Sequence, residues 1–463
     1  MGKERNRKDE RNYKKNAKRR LASQSRGITL VALVITIIII IILATVTINM
    51  AFGDDGIIKR AELAKDMYSN DTAYTDQSMA NATAYLDEML NGVAGGSGTD
   101  EGGDEPEVPE QSEVQKAKEE GRVFADKTVI TDGEGNKITI PKGFKIPEDS
   151  GDTVQQGIVI EDVSASTDTA VQGSQYVWIP VGTFTKDDGT TSNEIKLGRY
   201  TFSTIDGTTT EPLQYAEDYA GEAVAIKDYN GYDCTEATTY DAGNESAGTD
   251  GRNATAKNLA EFINSTKPIE EGGNGGYYIG RYEASYASGA TSTTEVGDYA
   301  NCKAASKIST GYRTQTDGSM SYNPGTLWNF ITQPAASKVA INTYEDSSSV
   351  KSDLMNSYAW DTAIVYIQEA STPNYANQKG SDINTSLTNT GANQDEVCKI
   401  NDMASNVLEW TTEHSSYTYS SYALPCVVRG GYYNSSGYYT ADRSNSTVAN
   451  SSNFMGFRLS LYL

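Results

Sequence analysis

The segment NDMASNVLEWT, residues 401–411, is the most informative stretch for the fold of the C-terminal half of this 463-residue chain. Its Trp410 is expected to pack in a hydrophobic core, because a lone tryptophan is more often structural than ligand-binding. Two glycine-bearing segments follow, RGG at 429–431 and GFR at 456–458. Since glycine tolerates backbone conformations that other residues avoid, both segments predict tight turns around a C-terminal hairpin.

Three further segments lie upstream of this pattern. They are YVWIP at 176–180, GRYE at 280–283 and LMNSYAWDTAIVYI at 354–367, and the last has the periodicity of a helix. From about Val123 onward, short β-like runs alternate with turn signals, and residues 185–275 are expected to form long surface loops. Short strands, few helices and long irregular segments predict an α+β domain over residues 121–463.

Taken in order, these segments resemble the formylglycine-generating-enzyme and sulfatase-modifying-factor family, which has a C-type-lectin-like fold. The resemblance implies a structural Ca²⁺ ion at residues 401–411. Carried over by position, the carboxylates of Asp402 and Glu409 and the main-chain carbonyls of Ser405 and Val407 would bind it, since calcium accepts such mixed oxygen ligands. The alternative is that the two carboxylates only accept hydrogen bonds from loop amides.

The catalytic residues of that family have no counterpart in this sequence. Its oxidase members use two cysteines just after the Gly-Gly turn, where this chain has Ser435 and Thr440. Its iron-dependent relatives need several histidine ligands, whereas His414 is the only histidine. Because thiolate and imidazole groups supply that chemistry, we expect no enzymatic activity and no redox or organic cofactor.

The residues around the Gly-Gly turn have instead the composition of a binding surface. Between Ser415 and Asn453, 21 of 39 residues are Ser, Tyr or Asn, the residue types that dominate antibody paratopes. Retroelement-diversified proteins place similar residues at the C-terminus of a C-type-lectin-like scaffold, and this chain resembles them; a merely polar loop surface is the alternative. The predicted ligand contacts are Tyr432, Tyr433, Asn434, Ser435, Tyr438, Tyr439, Asn445 and Asn453.

The charge and the cysteines limit the partners and the cross-links. Beyond residue 26 the chain has 28 Lys and Arg against 59 Asp and Glu, so it repels phosphates and nucleic acid is excluded as a partner. The four cysteines, Cys234, Cys302, Cys398 and Cys426, show no CxxC spacing. If they form two disulfides, three pairings are open.

The N-terminus has a different character. Residues 28–50, ITLVALVITIIIIIILATVTINM, contain no charge and are long enough to span a bilayer. They follow a basic leader, residues 1–27, and the junction between them resembles the cleavage site of type IV prepilins and pseudopilins; a plain single-span anchor is the alternative. The resemblance implies cleavage by prepilin peptidase between Gly27 and Ile28 and methylation of Ile28. Ala32 replaces the glutamate of most major pilins, which fits a minor subunit.

These observations predict a long pilin-like helix that carries a loop-rich C-type-lectin-like domain. The transmembrane and stalk helix would cover residues 28–90, and a flexible acidic linker residues 91–120. Before assembly, the single N-terminal helix would hold the protein in the inner, or cytoplasmic, membrane; afterwards it would lie at the cell surface or in a pilus, with its C-terminal domain extracellular. Expected partners are prepilin peptidase, other pilin subunits, the membrane, and a protein or glycan ligand.

Three functions remain open from the sequence. The first is an adhesin-like minor pilin or pseudopilin whose lectin-like domain binds an extracellular ligand. The second is a structural filament subunit that has no specific ligand. The third, which the missing cysteines disfavour, is a degenerate enzyme with a deep pocket lined by titratable groups.

Overall fold

The structure, a computed structural model, describes residues 111–463 apart from 165, 203–211, 216–224, 229, 247–250, 290–298, 300, 315–322 and 393–394. All of these residues lie within one compact unit, Glu107–Leu463. The leader, the stretch 28–90 and the cleavage site at Gly27 and Ile28 lie outside the described residues.

The described part contains five short α-helices and two 3₁₀ turns. The α-helices are α1 Glu113–Glu119, α2 Leu259–Ser265, α3 Gln333–Thr343, α4 Ser357–Ala370 and α5 Gly380–Ile383. The 3₁₀ turns are Ile269–Glu271 and Tyr375–Asn377.

Strands make up most of the regular structure in the described residues. They are β1 Thr128–Thr131, β2 Lys137–Ile140, β3 Phe144–Lys145, β4 Val159–Asp162, β5 Gln175–Pro180, β6 Tyr200–Phe202, β7 Pro212–Tyr215, β8 Ala225–Lys227, β9 Asp233–Thr235, β10 Gly276–Gly280, β11 Ser285–Ser288, β12 Lys303–Ala305, β13 Lys351–Leu354, β14 Glu396–Val397, β15 Ile400–Asn401, β16 Leu408–Ser415, β17 Thr418–Tyr419, β18 Tyr422–Ala423, β19 Cys426–Arg429, β20 Arg443–Ser446, β21 Met455–Phe457 and β22 Leu459–Tyr462.

Two larger sheets organise these strands. The first has the order β13-β22-β10-β5-β4-β3, and the second has the order β20-β19-β16-β9-β8, with β21 pairing parallel to β16. In the first sheet, Trp178 of β5 lies opposite Tyr278 of β10, and their rings meet edge to face at 5.0 Å. Such pairs add to the stabilisation from burial alone, and nearly every residue of these two strands is buried.

Helix α4 forms the centre of the core. Asn356 caps its N-terminus by accepting a hydrogen bond from the Ala359 amide, and of its fourteen residues Glu369 alone is not buried. A helix that is buried on all sides lies in the protein interior rather than on its surface. Trp360 of this helix lies in the same core cluster as Trp178 and as Trp410, whose burial the sequence predicts.

A buried cluster of five charged side chains ties α4 to the second sheet. We call it the ion cluster; its members are Arg199, Asp361, Glu413, Arg429 and Arg443. Arg429 and Arg443 both pair with Asp361 of α4, and the Arg429 Nη2–Asp361 Oδ1 distance is 2.6 Å. Arg443 Nε lies 3.0 Å from Glu413 Oε1, and Arg199 pairs with the same carboxylate. Burial opposes ionisation of Glu413, but the nearby guanidinium groups outweigh burial and lower its pKa to about 2.

The expectation of an α+β fold built on a long N-terminal transmembrane and stalk helix is wrong for the described residues. This part of the chain is mostly β, and its longest helix, α4, has 14 residues. A bilayer span needs about 20 residues, and no helix among the described residues is long and apolar enough to cross a membrane. The inner-membrane localisation that we derived from that helix is corrected for the same reason.

The region predicted as a flexible linker, residues 91–120, contains helix α1 near its end. Ser112 and Gln115 form a capping box, in which each side chain accepts a hydrogen bond from the backbone amide of the other residue. Val114 and Ala117 are buried. This short helix therefore belongs to the packed domain.

We expect Glu413→Gln to lower the free energy of unfolding by about 3 kcal/mol or more, because it leaves buried guanidinium groups without their carboxylate. Urea denaturation monitored by tryptophan fluorescence would measure the loss. As a control, Glu261→Gln removes the exposed partner of Lys351 and should change stability by less than about 1 kcal/mol. Equal effects of the two substitutions would contradict this account of the ion cluster.

Candidate functional site

The Gly-Gly turn brings the predicted ligand-contact loop against the segment 401–406. Gly430 has a φ of 83°, and a Cβ atom on it would lie 2.8 Å from the Met403 carbonyl oxygen. A Cβ atom on Gly431 would lie 2.2 Å from the carbonyl oxygen of Ala404. Only glycine fits such a close approach of two backbones, which explains why the turn has this sequence.

Four aromatic rings gather just beyond this turn. We call them the tyrosine cluster, defined as Tyr432, Tyr433, Tyr438 and Phe454. The ring of Tyr432 stacks on Phe454 at 5.0 Å and meets Tyr438 at 5.2 Å and Tyr433 at 6.0 Å. All four side chains are half-buried, so each has one part packed and one part available to a ligand.

Of two asparagines predicted to contact the ligand, Asn453 is bonded to the tyrosine cluster, whereas Asn445 is bonded to another part of the domain. Asn453 donates a hydrogen bond from Nδ2 to the Tyr433 hydroxyl at 2.6 Å. Asn445 lies on β20, where its Nδ2 donates to Asp228 Oδ2 at 2.8 Å. Asn453 therefore orients the Tyr433 ring, whereas Asn445 is engaged elsewhere in the second sheet.

The other three predicted ligand contacts, Tyr439, Asn434 and Ser435, differ in their exposure and in their interaction partners. The Lys379 ammonium lies 5.1 Å from the ring centroid of Tyr439, within the range of a cation–π contact. Asn434 is exposed and has a left-handed backbone with a φ of 58°. Ser435 is buried, and its hydroxyl accepts a hydrogen bond from the Gly437 amide. Phe454 and Lys379 were missed from the sequence, although an aromatic residue directly after Asn453 in a polar tract was a usable signal.

Backbone hydrogen bonds fasten the loop to the segment 376–380. The Thr440 amide donates to the Gln378 carbonyl at 3.0 Å, and the Ala441 amide donates to the Ala376 carbonyl at 3.1 Å. Trp360 Nε1 donates to the Thr440 carbonyl at 3.2 Å. Because these partners belong to the core side of the domain, the tyrosine cluster is held in place before any ligand arrives.

The four residues predicted to bind calcium each have other hydrogen-bonding partners. Asp402 Oδ2 accepts hydrogen bonds from the Thr390 hydroxyl at 3.0 Å and from the Gly391 amide at 2.7 Å. The carboxylate of Glu409 is paired with Arg458, whose Nε lies 3.1 Å from both of its oxygens. The hydroxyl of Ser405 and the amide of Val407 donate to Asp395 and Glu283, respectively.

Both carboxylates predicted to bind calcium are therefore engaged by donors of the protein itself. The guanidinium of Arg458, which pairs with Glu409, also donates to the main-chain oxygens of Gly280 and Asn401. Burial, and then repulsion from Asp402 and Glu409, raise the pKa of Glu283 well above its usual range. Among the described residues, no group of three or more His, Cys, Asp and Glu side chains is placed to hold a metal ion. Calcium binding stays a prediction from the resemblance.

The loop has no cysteine at the two positions that the oxidase members use, and the cysteines that the chain does have lie elsewhere and are buried. Thr440 is buried, and so are all four cysteines, Cys234, Cys302, Cys398 and Cys426. Burial raises the pKa of the Cys234 and Cys398 thiols to about 12, which suppresses the reactive thiolate. Cys234 and Cys426 lie on opposite sides of β16, about two strand spacings apart and too far for a disulfide.

Comparison with known proteins supports part of the sequence resemblance. Residues 338–461 match the family described as the sulfatase-modifying factor enzyme 1-like domain. The match includes the segments 401–411, RGG and GFR, and it confirms the predicted resemblance over this region; the segments 176–180 and 280–283 lie outside it. A search of curated proteins finds no match. The pilin-like N-terminus receives no support from these comparisons.

Several solved structures are distantly similar. PvdO from Pseudomonas aeruginosa matches with a TM-score of 0.28 and 12% identity, over 41% of this chain and 82% of PvdO. The M1 variant of the major tropism determinant matches with a TM-score of 0.24 and 13% identity, over 74% and 82% of the two chains. Treponema denticola variable protein 1 matches with a TM-score of 0.23 and 13% identity, over 63% and 97%. These likenesses are too distant to support an argument about function.

The loop that carries the tyrosine cluster contains an acid whose titration we expect to affect stability. Burial raises the pKa of Asp442 to about 7 from its ordinary value of 3.8, against the attraction of Arg429 and Arg443. The folded state therefore binds the proton more tightly, so the stabilisation is full below the ordinary pKa and is lost as pH rises through about 7.

We expect Asp442→Asn to reduce the fall in unfolding free energy between about pH 5 and about pH 8 by about 2 to 3 kcal/mol. Chemical denaturation at the two pH values would measure it. The exposed residue Asp382, in the neighbouring helix α5, provides the control Asp382→Asn, which should leave the fall unchanged. The same pH dependence in wild type and Asp442→Asn would contradict the prediction.

Proposed function

We propose that the described domain is a ligand-binding module without catalytic activity, and that the tyrosine cluster is its binding surface. The observation that carries the proposal is the set of half-buried rings of Tyr432, Tyr433 and Tyr438, packed on one another and on Phe454. The proposed ligand is the surface of a protein or a glycan, as the composition of residues 415–453 indicates.

The energetic argument rests on preorganisation. A tyrosine side chain has two rotatable bonds, so immobilising it on binding costs little entropy, and here much of that cost is met on folding. Asn453 orients the Tyr433 hydroxyl, and the backbone bonds of Thr440 and Ala441 hold the loop. Aromatic side chains held in this way are typical of the few residues that contribute most of the affinity in an interface.

The absence of thiols from the loop supports a binding function over an enzymatic one. Ser435 and Thr440 replace the cysteines of the oxidase members, and both side chains are buried. His414 Nδ1 lies 3.1 Å from Asn253 Oδ1, and burial lowers its pKa. A structural protein without a specific ligand is the second candidate function, and the experiment below separates it from the first.

We expect the double substitution Tyr433→Ala and Tyr438→Ala to weaken ligand binding at least about tenfold, because it removes two aromatic contacts. The full-length protein would be screened on arrays of proteins and glycans, and surface plasmon resonance would measure affinity for the strongest hit. Tyr312→Ala is the matched control, because Tyr312 is an exposed tyrosine that is not a member of the tyrosine cluster. Absence of any saturable ligand, or equal affinity of the double variant, would favour the structural alternative.

We also expect no conversion of a cysteine-containing peptide to formylglycine in the presence of oxygen, because the loop has no thiol. Mass spectrometry and aldehyde labelling of the peptide would detect the product. A cysteine-bearing oxidase of the matched family serves as the positive control. Conversion of the peptide by the purified wild-type protein would contradict the absence of catalysis.

A further inference from the structure

A second concave surface lies at the other end of strand β16. It is a cleft of about 560 Å³, lined by residues that include Tyr240, Arg252, His414, Ala423 and Pro425. We call it the His414 cleft. No residue of the tyrosine cluster lines it, so it is a separate site and goes beyond the function proposed above.

One large aromatic side chain on the wall of this cleft is exposed to solvent. Tyr240, on its wall, is 43% exposed. Tyr419 and Tyr422, which are 68% and 59% exposed and lie opposite each other in the hairpin of β17 and β18, do not line the cleft. Ala423 lines it, and successive residues of a strand point to opposite faces. By contrast, the rings of the tyrosine cluster are half-buried against one another.

The polar groups of the cleft are held in a fixed arrangement. Arg252 Nε donates to Asp241 Oδ2 at 2.9 Å, and this pair is largely exposed. Asn253 is buried; its Oδ1 contacts His414, and its Nδ2 donates to main-chain carbonyls. Thr238 and Thr239, which are exposed, also line the cleft. The lining therefore combines an apolar wall of tyrosine, alanine and proline with hydroxyl, amide and guanidinium groups.

We infer that the His414 cleft binds a saccharide unit, with the ring of Tyr240 stacked on one face of the sugar. A pyranose has a face of C–H bonds and a rim of hydroxyls, and the electron-rich face of an aromatic ring attracts those C–H hydrogens. The apolar wall matches the C–H face, and Arg252 with the threonine hydroxyls matches the rim.

The shape and chemistry of the cleft favour a saccharide over other ligands. Its volume lies within the range of about 300 to 1,000 Å³ typical of small-molecule sites. A wholly apolar ligand would cover Arg252 and the threonine hydroxyls without replacing their hydrogen bonds to water, which is unfavourable. A simple anion would find the charge of Arg252 already compensated by Asp241.

The only histidine of the chain makes this inference directly testable. The full-length protein, labelled with [¹³Cε1]histidine and with any affinity tag removed, gives a single imidazole signal from inside the cleft. The probes are the methyl glycosides of glucose, galactose, mannose and N-acetylglucosamine, together with glucuronic acid. We expect at least one of them to shift the His414 signal in a saturable manner.

Tyr240→Ala should weaken that binding by about tenfold or abolish it, because it removes the stacking surface. Tyr312→Ala, which changes a tyrosine 36% exposed and outside the cleft, should leave it unchanged. The inference is overturned if no probe shifts the His414 signal, or if the Tyr240→Ala variant binds as the wild type does. It is also overturned if the shift is lost in Tyr433→Ala instead, since the sugar would then bind through the tyrosine cluster.

Discussion

The buried pairing of Arg429 and Arg443 with Asp361 determines the geometry of the loop proposed to bind ligand. Arg429 ends β19 and Arg443 begins β20, so one carboxylate of α4 fixes both ends of the segment between them. Glu413 joins this ion cluster from β16, and the next residue, His414, lines the second cleft. Residues of the ion cluster are therefore adjacent in sequence to both proposed binding sites, the loop with the tyrosine cluster and the His414 cleft.

Burial of the ion cluster costs free energy, and any buried charge that lacks a partner of opposite sign would destabilise the fold. Each ion loses its hydration, and the loss is recovered only where every charge has a well-placed partner. Here three guanidinium groups share two carboxylates, and the backbone adds acceptors: Arg429 Nε donates to the Asp442 carbonyl at 2.7 Å, and Arg443 Nη1 donates to the Tyr200 carbonyl at 3.2 Å. Alternative packings of the loop would leave some of these charges unpaired, so the cluster favours one conformation of the surface above it.

The sequence predicted local features well and spatial relations poorly. The helical pattern at 354–367, the buried Trp410 and the glycine turn at 430–431 follow from periodicity, residue type and glycine's conformational freedom, which are local properties. The polar tract predicted Tyr432, Tyr433, Tyr438 and Asn453, which the structure brings together, but it included Asn445, which strand pairing places beside Asp228. The His414 cleft was missed because its walls come from residues 235–241, 251–255 and 414–425, which only the fold brings together. The capping box at Ser112 was a readable signal inside the predicted linker.

Hydrogen–deuterium exchange of the wild-type protein tests most directly the claim that the ligand-contact loop is rigid before binding. The amides of Tyr433, Thr440 and Ala441 donate to carbonyls of other segments, so they should exchange much more slowly than the exposed hairpin turn at Ser420 and Ser421. Slow exchange across residues 432–442, resolved by mass spectrometry of short peptides, is the result that the account predicts. Exchange of this loop as fast as that of the hairpin turn would contradict it.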